Sequence, residues 1–419
     1  MKVLAWDLVE SVSNTMDMLN SNLSEHHSKT AYIATSIAKA LGKSNYDIER
    51  IAYAALLHDC GVFSLAEGNM LLEFDFDDEE DRHSLAGAKL LKGMFEFDLS
   101  EIVRFHHVNW QDGAGADFNG TQIPIESHII HLADRVAVLT PGDTSIITKK
   151  RSIVDAVNVK SGFHFHPELI KVLTDISGKD SFWLDIIDKN INETIRELIP
   201  VTSVTLNVDK LKAFSKAISN LIDYKSRFTA CHSIGNAQVA YVLGLKCGFS
   251  ESQCSLLEIA GLLHDLGKLA IPSEILEKNG SLDENEFAIM RSHSYMTYSA
   301  LKRVKGMENI VLWASEHHEK LDGTGYPFCK QGADLSLESR ILAVADIYTA
   351  LSEDRPYREG MKKEDVIKIL NSMSNLHVDS SIVTVLVDSY EEINDIRLES
   401  QRTAFQHYEQ NFSSIAGTA

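Results

Sequence analysis

Leu262-Leu263-His264-Asp265-Leu266-Gly267-Lys268 places an imidazole and a carboxylate side by side at the close of an apolar run. Leu256, Leu257, Ile259, Ala260, Leu262 and Leu263 recur at helical spacing. The stretch therefore reads as the end of a buried helix, with Gly267 as its C-terminal stop. An unpaired Asp on such a face is costly, and metal coordination removes that cost. The rest of the chain has to supply the further ligands.

The stretch occurs twice. Ile51 to Leu57 leads into His58-Asp59-Cys60-Gly61, with Val62 standing where the other copy has Lys268. The correspondence continues outward. His27 matches His232, His83 matches His293, His106-His107 matches His317-His318, and Asp134 matches Asp346. These pairs, with the His-Asp pair itself, are separated by 205, 206, 210, 211 and 212 residues in chain order. A slow one-way drift is the mark of two copies of one fold with small loop insertions. Even Phe163-His164-Phe165-His166 falls opposite Leu376-His377-Val378-Asp379. The reading is all-α: two tandem helical domains, 1–200 and 205–400, then a tail over 401–419 that is helical at first and frays towards its end.

Composition narrows the class. Hydrophobic residues make up 44% and charged residues 24% of the 419, as in ordinary water-soluble domains. The net charge of −20 disfavours binding to polymeric nucleic acid, whose backbone selects basic surfaces. Five cysteines form no CxxC pattern, which fits a reducing, cytoplasmic setting. The N-terminus lacks the apolar core of a signal peptide, and no apolar run approaches a membrane span.

His232, His264, Asp265, His293, His317, His318 and Asp346 form the second copy's ligand set, five imidazoles and two carboxylates. That donor mix suits first-row transition metals, Fe or Mn ahead of Zn, and makes Mg or Ca a poor fit. Seven ligands exceed what one ion with an open position needs. Two divalent ions fit better, His232, His264 and Asp346 on one, His293, His317 and His318 on the other, with Asp265 bridging. Paired ions of this kind are a standard device for opening phosphate esters, by attack of a hydroxide held between them. The first copy keeps its own set, His27, His58, Asp59, His83, His106, His107 and Asp134, so a further metal is expected there.

Three features belong to the second copy alone. Lys268 follows the His-Asp pair by one turn, within reach of a phosphate oxygen. Asp322-Gly323-Thr324-Gly325-Tyr326-Pro327 is a glycine-punctuated loop just after the His pair. Arg355-Pro356-Tyr357-Arg358 offers forked phosphate donors beside an aromatic face. The first copy has Asp143 opposite Arg355, a different loop over Asp112–Asp117, and an acidic run over 73–81 that reads as a solvated loop.

This order of residues resembles the HD superfamily of metal-dependent phosphohydrolases. His264-Asp265-Leu266-Gly267-Lys268, Gly325-Tyr326-Pro327 and Asp346-Ile347-Tyr348-Thr349-Ala350-Leu351 narrow the resemblance to the HD-GYP subfamily over 205–400. The first half resembles an HD domain without the GYP signature. The resemblance implies a helical core, a two- or three-ion Fe or Mn centre, and hydrolysis of a cyclic dinucleotide to the linear 5′-phosphorylated form. Three-ion members carry a Glu four residues before the first His, where this chain has Phe228, so two ions are expected. By the same resemblance Asp265 and Lys268 are the catalytic pair, and Lys268, Arg355, Tyr357 and Arg358 hold the substrate. The tandem layout resembles bacterial phosphodiesterases of 3′,3′-cyclic GMP-AMP, with cyclic di-GMP as the alternative substrate. A nucleotide phosphohydrolase of another HD type and a non-catalytic signalling scaffold are the competing readings. The first domain is expected to hold metal without turning over a dinucleotide, and a homodimer stays open as the assembly.

Overall fold

The computed structural model describes residues 2–18, 25–62, 82–95, 97–199, 204–224, 231–278, 280–354 and 359–412. The described residues are overwhelmingly helical, with strands of no more than two residues, as the sequence leads one to expect. None of their helices is long and apolar enough to cross a membrane.

The chain divides into two compact units, residues 16–204 and residues 1–15 with 205–419. The first fifteen residues, which the sequence reading counts with the first domain, cluster with the C-terminal unit. Their anchor is a two-residue strand, Val3–Leu4, paired antiparallel with Thr205–Leu206. Two residues of strand leave their backbone groups unsatisfied alone, so each strand completes the other. Trp6, Leu8 and Val9 of the helix that follows are fully buried.

In the C-terminal unit the helices His232–Lys246 and Glu251–Leu263 form the main core pair. A capping box opens the second of them. The Ser250 side chain accepts from the Gln253 amide, while the Gln253 side chain accepts from the Ser250 amide. Asp283 and Glu286 do the same for Glu284–Leu301, the helix that carries His293. The first unit repeats the plan with His26–Ala40, Asn45–Leu56 and Ile125–Leu139. The repeat extends to detail. Ser161 bridges Phe165 and Ser374 bridges Val378, and His166 and Asp379 each cap the next helix through a side-chain acceptor.

Gly267 is not the stop that the sequence suggested. The helix ends at Leu263, and Gly267 lies inside the 3-10 turn Leu266–Ala270. Its role is close approach: a Cβ there would lie 2.0 Å from the His293 carbonyl oxygen. Gly61 meets the His83 carbonyl oxygen in the same way, at 2.1 Å. In both copies, then, the missing side chain lets the His-Asp turn press against the helix that bears the next histidine. The helix Tyr390–Asn411 runs through most of the expected tail. The acidic run 73–81 lies outside the described residues.

Candidate metal centre

The apolar periodicity of Glu251–Leu263 buries one face of the helix and delivers His264 and Asp265 at its C-terminal end, both almost fully buried. Its last carbonyls have no partner within the helix. His264 uses one of them, its Nδ1–H donating to the Gly261 carbonyl at 2.7 Å. His317 donates to Ala314 at 2.7 Å and His293 to Met290 at 2.6 Å. In the first unit His58 donates to Ala55 at 2.8 Å and His106 to Val103 at 2.6 Å. All five rings are thus oriented by a carbonyl three residues back. That protonates Nδ1 and leaves Nε2 with its lone pair facing the centre, the tautomer a metal ligand needs.

The seven candidate ligands of the second copy converge. His232, His264 and Asp346 offer donor atoms within 4.8 Å of one another, and so do His293, His317 and His318. Asp265 stands between them, Oδ2 at 3.1 Å from His264 Nε2 and Oδ1 at 3.4 Å from His293 Nε2. Lys268 Nζ lies 2.6 Å from Asp265 Oδ2. His232 Nε2 lies 3.0 Å from Asp346 Oδ1, and Glu353, two turns past Asp346, takes its Nδ1–H at 2.9 Å. Glu353 was absent from the residues singled out in the sequence, although its seven-residue spacing from Asp346 was visible there.

The donor set fits a cation. His293 Nε2 and His317 Nε2 face each other at 3.3 Å, although the Nδ1 of each ring already donates to a carbonyl. Two opposed lone pairs at that distance repel unless a positive charge lies between or beside them. Burial pushes His293 down to about 3, His318 down to about 4, and His317 well below the usual imidazole range, so all three stay neutral. Burial opposes the charged form of Asp265, but His264 and Lys268 outweigh it and hold the carboxyl well below its usual range. Burial likewise opposes charge on His232, and Glu353 and Asp346 together raise it to about 10. The neutral imidazoles of His293, His317 and His318 beside ionised Asp265 are the protonation states of transition-metal ligands, and His232 would give up its proton on binding an ion.

In the first unit Asp59, His83, His106 and His107 form one group of donors, and His26, His58 and Asp59 another, each within 4.8 Å. The member from the first helix is His26, not His27. His26 Nε2 lies 3.2 Å from Asp134 Oδ1, whereas the His27 ring turns to Asp17. The correct register separates His26 and His232, His58 and His264, and Asp59 and Asp265 by a constant 206 residues. His58 Nε2, His106 Nε2, Asp59 Oδ1 and Asp134 Oδ1 are buried and make no well-formed hydrogen bond; their ion-pair contacts among themselves and with His26 run from 3.2 to 3.8 Å. Such groups are expensive unless something binds them, and a cation is what this set would bind. Arg135 already engages Asp134 Oδ2 through two N–H groups at 2.7 and 3.0 Å, where the second copy has Ile347.

The Gly325-Tyr326-Pro327 loop is fastened beside the second centre. The amides of Phe328 and Lys330 donate to the Glu319 carboxylate at 2.6 and 3.0 Å, and the Tyr326 amide donates to the His318 carbonyl at 3.2 Å. A Cβ on Gly325 would lie 2.4 Å from the Lys320 amide nitrogen, which is why this position takes glycine. The Tyr326 ring then packs 4.8 Å from His318. Arg355, Tyr357, Arg358 and Phe228 lie outside the described residues.

Comparison with known proteins agrees with this geometry. HD-domain models match residues 23–139 and residues 216–382. The chain is 29% identical over 402 residues to 3′3′-cGAMP-specific phosphodiesterase 1 of Vibrio cholerae serotype O1, covering 94% of this chain and 93% of that protein. It is 33% identical over 184 residues to the cyclic di-GMP phosphodiesterase response regulator RpfG of Xanthomonas campestris pv. campestris, 43% of this chain and 48% of that one. The crystal structure of a cyclic GMP-AMP specific phosphodiesterase of V. cholerae, V-cGAP3, superposes with a TM-score of 0.66. It covers 93% of this chain and 98% of its own, at 21% identity, which speaks to the fold. With an HD match in each half and a buried histidine–aspartate centre behind each match, the chain belongs to the HD-domain family and carries two of its domains in tandem.

Proposed function

We propose that the chain is a metal-dependent phosphodiesterase that opens a cyclic dinucleotide, 3′,3′-cyclic GMP-AMP ahead of cyclic di-GMP, to the linear 5′-phosphorylated dinucleotide. The position of Asp265 carries this reading. One carboxylate oxygen is turned to each of two neighbouring donor groups, 3.1 Å from His264 and 3.4 Å from His293. Two divalent ions bound there, Fe or Mn by the donor set, supply charge neutralisation at the scissile phosphate and activate water. His232, His264 and Asp346 would hold one, His293, His317 and His318 the other, with Asp265 shared. Lys268 is poised to pass from Asp265 to a phosphate oxygen as charge develops. Arg355, Tyr357 and Arg358 would hold the dinucleotide.

Support for the hybrid dinucleotide comes from similarity in both halves to a relative named for it, against similarity over less than half the chain for the cyclic di-GMP relative. The five cysteines are all unpaired, which supports a cytoplasmic setting. The first domain holds metal in this reading, and lacks the lysine and the fastened loop that turnover requires. The test is initial hydrolysis of both dinucleotides by Fe- or Mn-loaded protein, with the products identified. Preferential conversion of the hybrid to its linear 5′-phosphorylated form supports the reading. Equal rates or a preference for cyclic di-GMP overturn the substrate choice, and release of orthophosphate or a nucleoside from mononucleotides instead overturns the reaction class.

A further inference from the structure

The metals and Lys268 account for the scissile phosphate, and nothing described so far tells one purine from another. Arg291 stands next to that gap. It lies two residues before His293 on the helix Glu284–Leu301, and its guanidinium carbon sits 4.7 Å from the centroid of the Tyr326 ring. That ring in turn packs 4.8 Å from the ring of His318. A continuous line of ring contacts therefore runs from the candidate metal ligand His318 through Tyr326 to Arg291, an exposed residue. No carboxylate among the described residues pairs with Arg291.

The surroundings suit a flat ring. Phe287 and Tyr295 lie four residues before and after Arg291, on the same face of the helix, and are 49% and 46% exposed. Phe328, which follows the loop, sits 6.4 Å from Tyr295. Aromatic faces of this kind take up nucleobases by stacking, whatever the base. The discriminating group is then the arginine. Guanine presents two adjacent acceptors, O6 and N7, that a guanidinium fork satisfies together, whereas adenine presents an amino donor in place of O6. Contact with Tyr326 limits the orientations of the fork before substrate arrives, so less freedom is lost on binding. The sequence copy in the first half has no Gly-Tyr-Pro loop to support such an arginine.

We infer that Arg291, laid on Tyr326, reads a guanine base of the dinucleotide at the rim of the metal centre and is a specificity-determining residue. This rests on the proposed phosphodiesterase reading, and the test is arranged so that the two can fail separately. Binding of GMP and of AMP to the Mn-loaded full chain is measured by titration calorimetry for the wild type, Arg291→Ala and Arg291→Lys. Both nucleotides carry the same phosphate, so their difference reports the base. Wild-type protein is expected to prefer GMP by roughly tenfold. Arg291→Ala should bring GMP down to the AMP level while leaving AMP unchanged, and Arg291→Lys, which keeps the charge and loses the fork, should recover little of the preference. In turnover, Arg291→Ala should raise KM for 3′,3′-cyclic GMP-AMP with kcat nearly unchanged. Equal weakening of GMP and AMP would make Arg291 a phosphate contact and overturn the inference, as would no change in either. A wild-type protein that hydrolyses no cyclic dinucleotide would overturn the functional reading, and the GMP and AMP titrations would still judge the arginine.

Discussion

The two halves share a metal-binding frame and differ in what surrounds it. In each, a buried helix delivers His-Asp, a glycine lets that turn rest on the next histidine's backbone, and carbonyls three residues back orient the rings. Around this common frame the second copy adds Lys268 on Asp265, Glu319 fastening the Gly-Tyr-Pro loop, and Glu353 behind His232. The first copy has Val62 in place of the lysine and Val108 at the matching place of Glu319, and it commits Arg135 to Asp134. In the proposed reading, holding a cation and acting on a phosphate are separable layers of one fold, and the first copy keeps only the first of them.

That contrast can be broken at several points. Outside the metal ligands, the largest effect is expected from Lys268→Ala, which should lower kcat on the dinucleotide by about 10²-fold, as for loss of one preorganised charge at a developing oxyanion. Steady-state kinetics check it, and a change confined to KM would return the lysine to a binding role. Metal removal comes next. Chelation should destabilise both units, since a ligand at 100 times its Kd contributes about 2.7 kcal/mol to the folded state. Calorimetric scans with and without chelator should show both transitions moving. A shift in one alone would mean that the first unit holds no metal.

Gly61→Ala and Gly267→Ala sharpen the comparison by acting alike. Each added methyl meets a histidine carbonyl near 2 Å, 2.1 and 2.0 Å respectively. Each should cost about 1–3 kcal/mol in its own domain, read by thermal unfolding, as overpacking does elsewhere. Only Gly267→Ala should also reduce turnover. Glu319→Gln is expected to have the smallest effect. The amide keeps one acceptor oxygen and sets an NH2 donor against the other of the Phe328 and Lys330 backbone N–H groups, so the loop loosens. KM should rise by a few-fold while the metal content of the protein stays unchanged.

Much of this was legible in the sequence because the fold is duplicated. The sequence reading assigns His232, His264 and Asp346 to one ion and His293, His317 and His318 to another; the donor atoms of each trio lie within 4.8 Å of one another, and so do those of His264, Asp265 and His317, which join the two sets. The error at His27 has a physical cause. His26-His27 offers two alignments, and a slip of one residue on a helix turns a side chain by about 100°. Both helices begin at the true counterpart, His26 and His232, and both run fifteen residues. The place of the first fifteen residues in the C-terminal unit was hidden because the pairing of Val3–Leu4 with Thr205–Leu206 joins segments about two hundred residues apart, which no local sequence pattern signals. Gly267 was misread because a glycine after an apolar run signals a helix stop, whereas here it serves a contact made with a residue twenty-six positions away. Arg135 was open to detection as a cation on an otherwise apolar face next to a matched aspartate. The carbonyl partners of the histidines had no sequence signal, since every residue carries the same carbonyl.

The most direct test compares Asp265→Ala with Asp59→Ala in the full chain, with metal content and hydrolysis of 3′,3′-cyclic GMP-AMP measured on each. The account predicts that Asp265→Ala abolishes turnover and loses metal from the second centre. Asp59→Ala should lose metal from the first centre and leave the initial rate close to that of the wild type. Turnover surviving in Asp265→Ala, or abolished equally by Asp59→Ala in a folded protein, would contradict the assignment of the chemistry to the second domain.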